Sequence, residues 1–143
     1  MKVVFGSDHA GFKLKLKLIA HLEAKGYETG DVGCFSEESC DYPDFAKAAA
    51  AEVVGGEAER GVLVCGTGIG MCIAANKVPG IRAAVVTEAF SAEATRAHND
   101  ANILCLGARV LSDEKAAELL DIFMDTPFSE GANHIRRISK LEA

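Results

Sequence analysis

The residues Cys65-Gly66-Thr67-Gly68-Ile69-Gly70 set a thiol ahead of three closely spaced glycines. An apolar run, Gly61 to Val64, leads in, and a helical stretch, Met71 to Lys77, leads out. Glycine lets successive N–H groups turn towards one point, making a concavity for an anion. The positive end of the following helix adds to it. A strand cysteine is ordinarily a small buried hydrophobe. Beside a helix N-terminus its thiolate fraction rises. A base next to an oxyanion hole suits removal of a proton alpha to a carbonyl.

Cys34, Cys40, Cys72 and Cys105 lack that setting and read as structural. Alone, His9 reads as a turn residue and Asp8 as a local cap for the following backbone, but they lie in the loop after the first strand, where they can face Cys65. His98-Asn99 ends a helix, with Asn99 suited to a left-handed cap and His98 to proton donation. His21 lies among lysines and leucines and reads as surface. Arg82, Arg109, Arg136 and Arg137 read as solvated charges, from which a phosphate site would recruit one or two.

The elements that position these groups alternate between strand and helix. Strands are expected at Lys2–Ser7, Glu28–Val32, Gly61–Val64, Ala83–Thr87 and Ile103–Leu106. Helices are expected at Gly11–Lys25, Asp44–Val54, Met71–Lys77, Ala89–His98, Asp113–Met124 and Ile135–Leu141. The run Phe12-Lys13-Leu14-Lys15-Leu16-Lys17-Leu18 alternates like a strand, but its length and lack of turn residues favour a helix. The pattern predicts one α/β Rossmann-like domain over residues 1–143, a five-stranded parallel sheet with helices on both faces. A flavodoxin-like strand order is expected, in which strands one and three are neighbours and bind ligand at their carboxyl ends.

The chain has 143 residues, is 49% hydrophobic and carries a net charge of −6. That balance and the absence of a dense basic stripe argue against nucleic acid. No apolar run approaches the roughly 18 residues of a membrane helix. A first strand at Lys2 predicts no leader, and five cysteines without metal-type spacing predict free thiols in a reducing cytoplasm.

The glycine loop is not a P-loop, since no Gly-Lys-Ser/Thr follows. It misses the dinucleotide pattern by one residue, although Glu88 lies where a ribose-binding acid would be. A nucleotide-binding oxidoreductase module is therefore one alternative.

Seven stretches together resemble the ribose-5-phosphate isomerase type B family, which includes galactose- and allose-6-phosphate isomerases. They are Gly6–Gly11, Asp41-Tyr42-Pro43, Cys65–Gly70, Ala74–Lys77, Gly80–Ala83, His98–Asn102 and Gly107-Ala108-Arg109. The resemblance implies an aldose–ketose isomerase of the pentose phosphate pathway that interconverts ribose 5-phosphate and ribulose 5-phosphate. An allose- or galactose-6-phosphate isomerase is the nearest alternative. It implies no metal, no organic cofactor, and a homodimer or homotetramer. It makes Cys65 the base between C2 and C1, with Thr67 supporting it and His98 opening the ring. The backbone of Gly66, Gly68, Ile69 and Gly70 would hold the enediolate. Asp8, His9, Tyr42, Asn99 and Arg109 would contact sugar or phosphate. Many members carry Gly-Gly-Arg-His and a second arginine. Here the stretch is Gly131-Ala132-Asn133-His134-Ile135-Arg136-Arg137, without the first arginine, so Arg136 or Arg137 is left to grip phosphate.

Topology adds one expectation. The helix from Ala89 runs back across the sheet and carries His98 about 15 Å from the edge that holds Cys65. One subunit should not bring the two together, which predicts active sites shared between subunits.

Overall fold

A computed structural model describes residues 1–143. Five strands form the sheet: β1 Lys2–Ser7, β2 Glu28–Asp31, β3 Arg60–Cys65, β4 Ala83–Val85 and β5 Ile103–Gly107. Six helices surround it: α1 Phe12–Glu23, α2 Tyr42–Gly55, α3 Ile69–Asn76, α4 Ala89–Asn99, α5 Asp113–Asp125 and α6 Ala132–Glu142. All pairings are parallel, in the order β2-β1-β3-β5-β4.

Strand periodicity sorts the core into two layers. Val3, Phe5, Val62, Val64, Leu104 and Leu106 face α1, α4 and α5. Val4, Leu63, Cys65, Ile103 and Cys105 face α2 and α3. The two-sided alternation explains why the central strands read as continuous apolar runs. It also fixes the side on which the Cys65 thiol emerges.

The flavodoxin-like order is corrected at its far edge: β5, not β4, lies beside β3. β5 is buried at every residue, whereas β4 has three half-buried residues. The more apolar strand takes the position covered on both sides. β4 stops before Thr87 because the chain turns there into α4, where the Glu88 carboxylate accepts the Ser91 N–H. Glu88 is thus a helix cap in this chain. The outer edge of β4 is closed by Asn76, whose amide accepts from Ala83 N (2.8 Å) and donates to Ala83 O (2.9 Å). A side chain that mimics a neighbouring strand blunts an otherwise adhesive edge.

α1 is helical despite its alternation. Leu14, Leu18 and Leu22, four apart, are buried, while Leu16 is exposed. α2 starts at Tyr42, two residues before the expected Asp44, because Pro43 fits the first helical turn. α3 likewise starts at Ile69, directly after Gly68 in the left-handed region (φ 79°). The left-handed residue ending α4 is Asp100 (φ 46°), not Asn99, which is still helical.

Candidate active site

The carboxyl ends of β1, β3 and β5 open onto a shallow cavity of about 480 Å³. Asp8, Tyr42, Cys65, Thr67, Gly70 and Arg109 are among its lining residues. β5 beside β3 is what delivers Arg109 here. Ala108 and Arg109 donate their N–H groups to the carbonyls of Cys65 and Gly66, both at 2.9 Å. Two main-chain bonds therefore stitch the start of the loop to the sheet.

Cys65 is 5% exposed, and its Sγ accepts the N–H of Gly68 at 3.1 Å. Thr67 Oγ1 accepts the Ile69 N–H at 3.2 Å, so its bond is to the loop rather than to the thiol. Two loop amides are thereby spent internally. At Gly70 a Cβ would lie 2.6 Å from the ring of Tyr42, so glycine is required for the ring to close over the loop. Asp8 is buried, and its carboxylate caps Gly11 N at 3.1 Å. His9 Nδ1 accepts the Cys40 N–H at 3.3 Å, which puts the neutral ring's proton on Nε2.

The other expected site residues lie elsewhere in the chain. His98 and Asn99 end α4 at the opposite edge of the sheet, where Arg82, just before β4, donates Nε to Asn99 O at 2.9 Å. His98 is exposed and stacks on His134 of α6, with ring centroids 4.4 Å apart. Slight loss of water, then the positive charges of His98 and Arg137, push the His134 imidazole down. Arg136 and Arg137 are exposed on the same helix. None of these residues lines the Cys65 cavity.

This arrangement is that of a known group. A family model described as Ribose/Galactose Isomerase matches residues 3–141. The chain belongs to that family. The isomerase is 45% identical to ribose-5-phosphate isomerase B of Escherichia coli K12, over 99% of this chain and 95% of that protein. It is 46% identical to a putative sugar phosphate isomerase of Bacillus subtilis, over 99% and 95%. Solved structures agree. Ribose-5-phosphate isomerase B of Clostridium thermocellum superposes with a TM-score of 0.98 at 47% identity, over 99% of this chain and 95% of that one. The enzyme from Thermotoga maritima gives 0.96 at 48%, over 99% and 97%. By family the isomerase is an intramolecular oxidoreductase of the aldose–ketose class.

Several residues that shape the isomerase escaped the sequence reading. Ile73 lines the cavity and is 59% exposed. Cys72, which reads as structural in the sequence, has its thiol pushed down to about 6, mainly by a hydrogen bond from Cys105, against the opposing effect of its burial. Burial first, and then the same bond, pushes Cys105 up. Both thiols were visible, but their contact depends on how α3 crosses β5, which spacing does not reveal. Arg96 is 5% exposed and binds Asp100 Oδ1 and Ala101 O, each at 2.7 Å. It pins the turn that presents His98.

Proposed function

We propose that this isomerase interconverts ribose 5-phosphate and ribulose 5-phosphate through an enediolate. The observation that carries the reading is a nearly buried thiol opening onto a cavity walled by glycine amides, Asp8, Tyr42 and an arginine. Cys65 takes the proton from C2 of the open-chain aldose and returns it to C1. Loop amides from Gly66 to Gly70 that are not spent internally stabilise the oxyanion. Asp8 and Tyr42 hold the sugar, and His9 and Arg109 reach its phosphate. Thr67 acts indirectly, by holding the loop through Ile69 N.

A furanose must open before its C2 proton is acidic, and His98 is the group for that step: it takes the proton of the anomeric hydroxyl and delivers one to the ring oxygen as the C1–O bond breaks and the aldehyde forms. Because α4 carries His98 away from Cys65, each site draws His98, Asn99 and the phosphate-gripping Arg136 or Arg137 from a second copy. Exposed Tyr42, Ile69, Ile73 and Val110 around the cavity supply apolar surface for such a contact. The reaction needs neither metal nor organic cofactor, so activity is expected to persist in chelator. Five free thiols suit work in a reducing cytoplasm.

The test is steady-state kinetics on ribose 5-phosphate, allose 6-phosphate and galactose 6-phosphate, with Cys65→Ala as the control. Turnover of the pentose phosphate that is lost in Cys65→Ala supports the reading. Preference for a hexose phosphate would reassign the substrate, and unimpaired Cys65→Ala would remove the base. Sharing is tested by mixing Cys65→Ala and His98→Ala subunits. Random exchange into dimers leaves one intact site in half of them, so about a quarter of native activity should return.

A further inference from the structure

Lys15 has no exposed surface. Burying an ammonium costs several kcal/mol unless partners replace its water. Its Nζ donates to Asp31 Oδ1 at 2.9 Å and to the carbonyl of Cys34. The rings of Phe12 and Phe35 lie over it, with centroids at 5.4 and 5.3 Å. The same Asp31 oxygen accepts the Gly33 N–H at 2.9 Å. One ammonium thus ties α1, the end of β2 and the turn at Gly33-Cys34.

That turn leads to the substrate side. Ser7 N donates to Gly33 O and Cys34 N to Ser7 O, both at 2.7 Å, immediately before Asp8 and His9. The segment from Cys34 then folds back so that Cys40 N–H reaches His9 Nδ1. It ends at Tyr42, the first residue of α2 and a wall of the cavity. His9 is therefore held by a segment whose start is clamped by Lys15.

We propose that Lys15, with Asp31, is a positioning residue for substrate binding: it fixes the Gly33-Cys34 turn, and through residues 34–41 aims His9 Nε2 at the sugar phosphate. The inference rests on the reading above in which His9 contacts substrate. A purely structural lysine would lower the melting temperature without changing how folded enzyme binds ligand. A positioning lysine raises KM with little change in kcat, and only while His9 is present.

A double-mutant cycle separates these cases. Lys15→Met, His9→Ala and the double variant are assayed on ribose 5-phosphate, with thermal midpoints recorded so that only folded enzyme is compared. Lys15→Met should raise KM about tenfold with kcat within about twofold. The double variant should bind no worse than His9→Ala. Should Lys15→Met fail to fold, Asp31→Asn replaces it in the cycle. It keeps an acceptor for Gly33 N–H and should raise KM about threefold, again only with His9 present. An unchanged KM in the lysine or aspartate variant, or a penalty that multiplies that of His9→Ala, overturns the proposal. A His9→Ala enzyme with native KM for all three sugar phosphates would instead show that His9 is not a ligand, and the proposal would fail with it for that separate reason.

Discussion

The Cys65 edge and the His98 corner are built from different materials. At the first, main chain does the holding: Ala108 and Arg109 amides grip the carbonyls of Cys65 and Gly66, and Gly68 N–H grips the thiol. At the second, arginine side chains do it. Arg96 ties Asp100, Ala101 and Thr126, and Arg82 ties Asn99 and Asp100. A main-chain site is set once the sheet forms, and few substitutions reach it. A side-chain corner depends on two or three residues and can be loosened without touching the sheet. The difference fits the division of labour proposed here, with proton abstraction at the rigid edge and ring opening at the adjustable one.

The largest expected effect sharpens that division. Cys65→Ala should lower both isomerisation of ribose 5-phosphate and exchange of the C1 proton of ribulose 5-phosphate, each by about 10²–10⁴. His98→Ala should impair turnover of the cyclic aldose alone, since the ketose needs no ring opening before exchange. Deuterium incorporation at C1, followed by NMR, reads the second quantity directly. Equal loss of both in His98→Ala would move His98 into the proton transfer and dissolve the comparison.

Next in size is Arg96→Met. The change strips hydrogen-bond donors from Ala101 O and Thr126 O beneath the α4 turn and should cost about 2 kcal/mol in denaturant unfolding. The Cys65 edge should be unaffected in what survives folded: C1 exchange per folded molecule stays native while aldose turnover falls. A fall in both would show the two regions to be mechanically joined.

The two regions were not equally legible in the sequence. The Cys65 edge could be read because a strand period of two and a glycine cluster are local signals. The helix–strand alternation was local too, and so is the cap of α5, where the Ser112 hydroxyl accepts Lys115 N–H three residues on. Strand order is not local. Nothing in the spacing says that β5 passes between β3 and β4, although Ile-Leu-Cys-Leu against Ala-Ala-Val does indicate which strand is more central. Lys15 was hidden by the alternation around it. On a helix it sits about 100° from Leu14, beside the stripe of Leu14, Leu18 and Leu22 rather than opposite it. Arg96 gave only the weak signal of a pair with Asp100 four residues on; its burial depends on carbonyls past the helix end, Ala101 and the distant Thr126, which spacing does not reveal.

A smaller effect tests the main-chain edge itself. Gly70→Ala puts a Cβ 2.6 Å from Tyr42 Cε1, so the ring must swing away. KM for ribose 5-phosphate should rise several-fold with kcat nearly kept, about 1 kcal/mol of lost binding. Pairing the change with Tyr42→Ala, which vacates the space, should remove the added penalty. If kcat falls instead, the substitution has shifted the amides beside Cys65, and the edge is less rigid than its hydrogen bonds imply.

The smallest effect lies at the corner and depends on pH. Slight loss of water and the charges of His98 and Arg137 hold the His134 imidazole below its ordinary value of 6.5. A histidine held down in the folded state binds its proton more readily when unfolded. Its contribution to stability is therefore complete above 6.5 and is lost as pH falls through the lower folded value. Protonation of His134 places a charge on a ring stacked 4.4 Å from the imidazole of α4 and near Arg137, which loosens α6 from α4. Amide hydrogen exchange in α6 should quicken relative to α3, after correction for intrinsic rates, as pH drops from about 7 to 5. His134→Phe keeps a stacked ring without the charge and should flatten that difference. A pH-independent α6 in the native chain would mean that the stack is held by contacts indifferent to its charge, and the corner would then be as rigid as the edge.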